Sequence, residues 1–172
     1  MRSVNNLKMF ASTRFNNDTW NENQRFRERN KLSGCIYCSP QTMSAKIDWG
    51  LIVFIVEMNN STNMIEGIGI VKNKPITEKG GIYETLNFNR YIFIGEYRIN
   101  RDILIRYQPK IVEALDHILF KEKTHLKRGA GITRIPEKLL NHRICEGIDI
   151  KKVIKELFIQ QFSKGSCSDE EK

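Results

Sequence analysis

Residues 51–71 read LIVFIVEMNNSTNMIEGIGIV, and the fold turns on them. Leu51 to Met58 is a β-branched, almost wholly apolar run between Gly50 and Asn59-Asn60, which predicts a strand covered on both faces. Asn59 to Asn63 (NNSTN) is turn chemistry. Met64 to Val71 (MIEGIGIV) then returns as the partner strand of a hairpin. Side chains alternate along a strand, so Gly67 and Gly69 share one face. A face without side chains admits a closely packed element or a ligand, and packing is the commoner use.

Working downstream, Asn73-Lys74-Pro75 breaks the sheet, and a loop with Gly80, Gly81 and Asn87 follows. Arg90 to Ile99 predicts a third strand with a bulge at Gly95. Three long strands ahead of the first strong helix predict an α+β domain: a curved antiparallel sheet or small β-barrel with C-terminal helices. Pro109 opens that helix, with Ile111, Ala114, Leu115, Ile118 and Leu119 as its apolar stripe. Pro136 starts a short helix through Ile144. Asp149 caps a last helix that buries Val153, Ile154, Leu157, Phe158 and Phe162. Upstream, Thr19 and Glu22 fit a capping box for a polar helix that runs to about Lys31, ends at Gly34 and carries Arg25 and Arg29 on one face. The resulting division is a basic N-terminal extension with a short helix (1–34), a single α+β domain (35–162) and a disordered acidic tail (163–172).

The chain of 172 residues is long enough for one real core, and its 40% hydrophobic content excludes a fully disordered chain. Its longest unbroken apolar run is Leu51 to Val56, too short to span a membrane. The N-terminal MRSVNNLKMFASTRF lacks the apolar stretch of a secretory signal. The net charge of +8 is uneven. Residues 1–34 carry seven basic and three acidic side chains, residues 35–120 nine of each, and residues 121–165 eleven and five. A neutral middle between basic ends predicts a basic face, and polyanions bind such faces by releasing condensed counterions. Nucleic acid is the expected partner, and no membrane or cofactor is expected. The 23 Ile, 15 Asn and 16 Lys have AT-rich codons, a genome bias that fits a large DNA virus or an intracellular microbe. Four cysteines in a chain that needs no staples predict a reducing, intracellular setting.

Several constellations compete for the chemistry. Thr124 to Gly131 (THLKRGAG) joins two adjacent cations to flexible glycines, which suits phosphate; Lys127, Arg128 and Arg134 are the candidate phosphate ligands. Aromatic residues at Tyr37, Trp49, Tyr83, Phe88 and Tyr91 fall at strand ends and loops, where ring faces can stack on unpaired bases. Cys35-x-x-Cys38 with His142-x-x-Cys145 offers four soft or borderline ligands for zinc if the fold unites them, against two small buried thiol sites and a surface histidine. Glu57, Glu66 and Lys72 would suit a metal-dependent nuclease if strand pairing brought them together. No H-E-x-x-H, G-x-S-x-G or P-loop pattern is present.

In order, Tyr37-Cys38-Ser39, Lys46-Ile47-Asp48-Trp49-Gly50, the hairpin and Gly67-Ile68-Gly69-Ile70-Val71 resemble the PUA-like superfamily, which includes the YTH, EVE and ASCH domains. The resemblance covers about residues 35–105. Tyr37 stands where YTH domains carry the Trp of a methyl-base cage. The resemblance implies a small barrel that binds RNA or DNA, often at a modified or flipped base. It places Tyr37, Ser39 and Trp49 in the pocket and Asn59 or Asn60 at its rim. The expected function is nucleic-acid binding without catalysis, with protein partners unspecified. The alternatives are a metal-dependent nuclease and a structural or virion assembly protein with a basic face.

Overall fold

The computed structural model describes residues 9–77 and 81–163. Its elements are β1 (Phe10–Phe15), α1 (Asn17–Arg29), β2 (Cys35–Ser39), β3 (Ile52–Asn59), β4 (Met64–Lys72), β5 (Tyr91–Gly95), β6 (Tyr97–Asn100), α2 (Arg101–Tyr107), α3 (Pro109–Phe120), β7 (Thr133–Arg134), α4 (Glu137–Leu140) and α5 (Ile150–Ser163). The hairpin forms as its residues dictate: β3 pairs antiparallel with β4 across Asn60–Asn63, with a register shift at Glu57/Met58. The chain is α+β, with a five-stranded sheet ordered β6-β4-β3-β1-β7 and a two-stranded sheet of β2 and β5.

Two expectations are corrected. The main sheet is mixed, because β1 runs parallel to β3, from Phe10 opposite Phe54 to Phe15 opposite Asn59. Parallel neighbours need a crossover, and α1 supplies it. No closed barrel forms among the described residues: β5 and β6 are one run that bends at Glu96, β5 pairing with β2 and β6 with β4. That bend carries the chain from one sheet to the other.

Residues 10–29 are also no extension. β1 is an inner strand, with Phe10 stacked on Phe54 at 4.6 Å between ring centroids, and α1 buries Trp20 and Asn23. The helix is capped by Asn16, one turn before its expected start: Asn16 Oδ1 accepts the Thr19 N–H at 2.9 Å, and Thr19 Oγ1 accepts the Asn16 N–H at 3.0 Å. The expected acidic tail, beyond Ser163, lies outside the described residues.

β3 is buried on both faces because each face meets its own core. Phe54, Val56 and Met58 join Ile65, Ile68 and the apolar sides of α2, α3 and α5. Val53 and Ile55 join Ile36, Tyr37, Phe93 and Trp20 on the other side. Leu115, Ile118 and Leu119 of α3 are 0% exposed, and such burial contributes about 1.5–3 kcal/mol per side chain. The glycine face of β4 is used for packing. A Cβ on Gly69 would stand 2.6 Å from Cys35 Sγ and collide with the Tyr37 hydroxyl, so the absent side chain lets β2 seat on the sheet. No described helix is long and apolar enough to cross a membrane.

Candidate nucleic-acid interface

A cleft of about 200 Å³ opens where the end of β1 meets the end of β2, the loop before β5 and the Gly129–Gly131 segment that follows Lys127 and Arg128. Its apolar wall is Phe15, Tyr83 and Phe88; Thr13, Cys38 and Ser39 add hydroxyl and thiol groups. Drug-sized ligands occupy roughly 300–1,000 Å³, so this volume suits one planar ring system.

Each wall is held from behind. Asn89, buried at the end of a 3-10 turn (Leu86–Asn89), accepts the N–H groups of Ile82 and Tyr83 at 3.0 Å each and donates to the Tyr83 carbonyl at 2.7 Å. The Tyr83 hydroxyl accepts from Asn23 Nδ2 at 3.2 Å, which ties the loop to α1. Burial pushes that phenol well above its ordinary range, so it stays neutral. Phe88 packs edge-on to Tyr83 and remains 38% exposed, which leaves a ring face at the cleft mouth. Phe15 is braced edge-on by Trp20.

The basic loop is held by Arg14. Its guanidinium donates to the Gly131 carbonyl at 2.9 Å, to Thr133 Oγ1 at 2.6 Å and to the Leu126 carbonyl. Burial pulls Arg14 down to about 10, still charged at neutral pH. Its donors are directed into the protein, so its role is to anchor the loop. Gly129 gives this contact room, because a Cβ there would press on the guanidinium and displace it. Asn60 Nδ2 donates to the Lys127 carbonyl at 2.9 Å and secures the other arm. Lys127 is half-buried and Arg128 exposed on the loop so formed.

The residues singled out from the sequence do not all converge. Ser39 lines the cleft beside Gly131, and its Oγ accepts the Gln41 N–H at 3.2 Å. Lys127 and Arg128 flank the glycines that line it. Tyr37 is 1% exposed and donates to Glu57 Oε1 at 2.8 Å, so it presents no ring face and serves as core. Trp49 is 67% exposed on the loop before β3 and does not line the cleft. Asn59 is buried and donates to Asn17 Oδ1 and Glu66 Oε1, joining α1 to the hairpin. Arg134 is exposed and lies 3.8 Å from Glu137. The cleft residues that the sequence did not single out are Thr13, Arg14 and Phe15; Tyr83 and Phe88 were visible only as aromatics in a loop.

The nuclease set is not assembled. Glu57 is 1% exposed and neutralised by Arg98, and Lys72 lies six residues along β4 from Glu66, about 20 Å of strand. The expected zinc set is not assembled either. Cys35 packs in the core beneath β2, Cys145 lies in the helical core across the main sheet, and Cys38 faces the cleft. Burial pushes the Cys35 and Cys38 thiols up to about 12, so neither is a thiolate at neutral pH. The chain matches no protein-family model, no curated protein and no solved structure.

Proposed function

We propose that the chain binds nucleic acid without cleaving it, taking one unpaired or flipped base into the cleft while Lys127 and Arg128 hold the adjoining phosphates. The observation that carries this is the junction of an aromatic-walled cleft, sized for one ring system, with a glycine-rich basic loop. Phe88 supplies the exposed stacking face. The Thr13 and Ser39 hydroxyls and the backbone of Gly129–Gly131 supply hydrogen bonds to a base edge. Recognition of a single extruded or unpaired base is the mode such pockets serve. A PUA-like relationship is part of this proposal, supported by the order of motifs through residues 35–105 and by the two sheets joined at a bent strand. The pocket then belongs to Ser39 and the β1 end, in place of Tyr37 and Trp49.

Fluorescence anisotropy with single- and double-stranded DNA and RNA across a salt series tests it. Single strands should bind more tightly than duplexes. Lys127→Ala with Arg128→Ala should reduce the salt slope by roughly 1.4–1.8. Phe88→Ala should weaken single-strand binding by about 5- to 150-fold, the range for one stacked base. Absence of binding at low salt, or full affinity in both variants, would overturn the proposal.

A further inference from the structure

We propose that His117, Glu122 and His142 form a site for a divalent transition-metal ion of the zinc class, seated at the root of the basic loop. One ligand atom from each lies within 4.8 Å of the other two. They come from two stretches of chain: the last turn of α3 with the loop residue just beyond it, and the residue that caps the 3-10 turn Arg143–Cys145. Glu122 Oε1 is 3.3 Å from His142 Nε2 and 2.5 Å from His117 Nε2.

Two ligand atoms each about 2.0–2.1 Å from a tetrahedral ion stand roughly 3.3 Å apart, so the His142–Glu122 spacing already fits. The His117–Glu122 spacing must open by about 0.8 Å to reach that value. Both side chains are about one-third exposed, at 33% and 29%, so rotamer adjustment suffices. Two imidazoles and one carboxylate are borderline donors that suit zinc, with the fourth position open to water.

His142 Nδ1 accepts the Ile144 N–H at 3.2 Å, which places the ring proton on Nε2. Ion binding moves that proton to Nδ1 and gives up the cap, weakening the affinity by about tenfold relative to a ring free at Nδ1. In return the ion ties α3 to the segment after α4 at the point where the loop carrying Lys127 and Arg128 begins. The site thus bears on a different segment from the cysteines that sequence spacing suggested.

The test is zinc uptake by the full chain, stripped with EDTA and dialysed against limiting ZnCl₂, with metal content and melting temperature as readouts. Wild type and Cys38→Ser should each hold one equivalent, and the melting temperature should rise by about 5–10 °C at a free zinc concentration a hundredfold above Kd. His142→Ala should lose at least tenfold in affinity. Glu122→Gln, at a partly exposed position, gives the same comparison with little risk to folding. Cobalt substitution should give a tetrahedral spectrum without thiolate charge-transfer bands. Lack of stoichiometric uptake, undiminished uptake in His142→Ala and Glu122→Gln, or thiolate bands in the cobalt spectrum would overturn the proposal. None of these readouts depends on nucleic-acid binding.

Discussion

Replacing Glu57 by Gln exchanges one oxygen for an amide nitrogen at a site 1% exposed. Glu57 Oε1 accepts from Arg98 Nε and from the Tyr37 hydroxyl, both at 2.8 Å, and Oε2 accepts from Arg98 Nη2 at 2.7 Å. Burial lowers Arg98, but the Glu57 carboxylate outweighs it and holds the guanidinium above its ordinary value. In Glu57→Gln the guanidinium keeps its charge and loses its counter-ion, and one amide N–H must face a donor. Breaking a buried pair in this way costs about 3–5 kcal/mol, a large share of the roughly 5–15 kcal/mol that holds a domain folded. The melting temperature should fall by about 6–20 °C. Urea unfolding followed by circular dichroism and tryptophan fluorescence measures the loss, with an unchanged m-value as the check on two-state behaviour. The triple change Glu57→Leu, Arg98→Met, Tyr37→Phe removes both charges and the hydroxyl together, leaves no buried charge unpaired, and should lie within about 2 kcal/mol of wild type. Two results would refute the reasoning: a Glu57→Gln protein within about 1 kcal/mol of wild type, or a triple variant as damaged as the single one.

Arg14→Lys keeps the charge but gives up the planar fork that reaches Leu126, Gly131 and Thr133 together, so the loop should lose order and nucleic-acid affinity together. Hydrogen exchange at residues 126–133 reads the first effect and anisotropy the second; unchanged exchange would show that the loop holds itself. The buried thiols predict an alkaline limit. Cys35 and Cys38 titrate near 12 when folded against an ordinary 9.0, so the folded state holds their protons more tightly than the unfolded chain. Their contribution is complete below pH 9 and is lost as pH rises toward 12, so urea midpoints should fall across that window. At pH 8 both thiols stay protonated, and peptide-resolved iodoacetamide labelling of the native chain should be slow. Rapid labelling of Cys38 would refute this account of the cleft.

The hairpin, the α3 stripe and the α5 helix were legible because each satisfies its own pattern locally. A run such as Leu51 to Met58 has few alternatives, and Pro109 with Ile111, Ala114, Leu115 and Ile118 sets one helical face. β1 was not legible: Phe-Ala-Ser-Thr-Arg-Phe is short, and two of its buried residues, Ser12 and Thr13, are polar. Its pairing depends on β3, more than 35 residues away, and a single sequence records no such partner. Tyr37 misled for a related reason. Aromatic chemistry does not reveal whether a ring faces solvent or a glycine, and here Gly69 makes the space that buries it. Of the three proposed metal ligands only His142 was singled out in the sequence, and cysteine spacing tied it to thiols rather than to His117 and Glu122, which tertiary packing brings beside it.

The parallel pairing of β1, a topological feature absent from the sequence pattern, builds the candidate interface. Because β1 and β3 run parallel, their carboxyl ends emerge on the same side of the sheet, with Phe15 opposite Asn59. Arg14 and Asn60 therefore stand at neighbouring strand ends and grip the same loop, Arg14 at Leu126, Gly131 and Thr133, Asn60 at Lys127. In an antiparallel pair those two ends would lie at opposite edges, and the loop would be held from one side only. The cleft lies at the end of β1, the position where ligands gather in sheets with parallel strands. The placement of Lys127 and Arg128 thus follows from the direction of β1, and the basic loop owes its position to two uncharged or internally satisfied side chains rather than to its own cations.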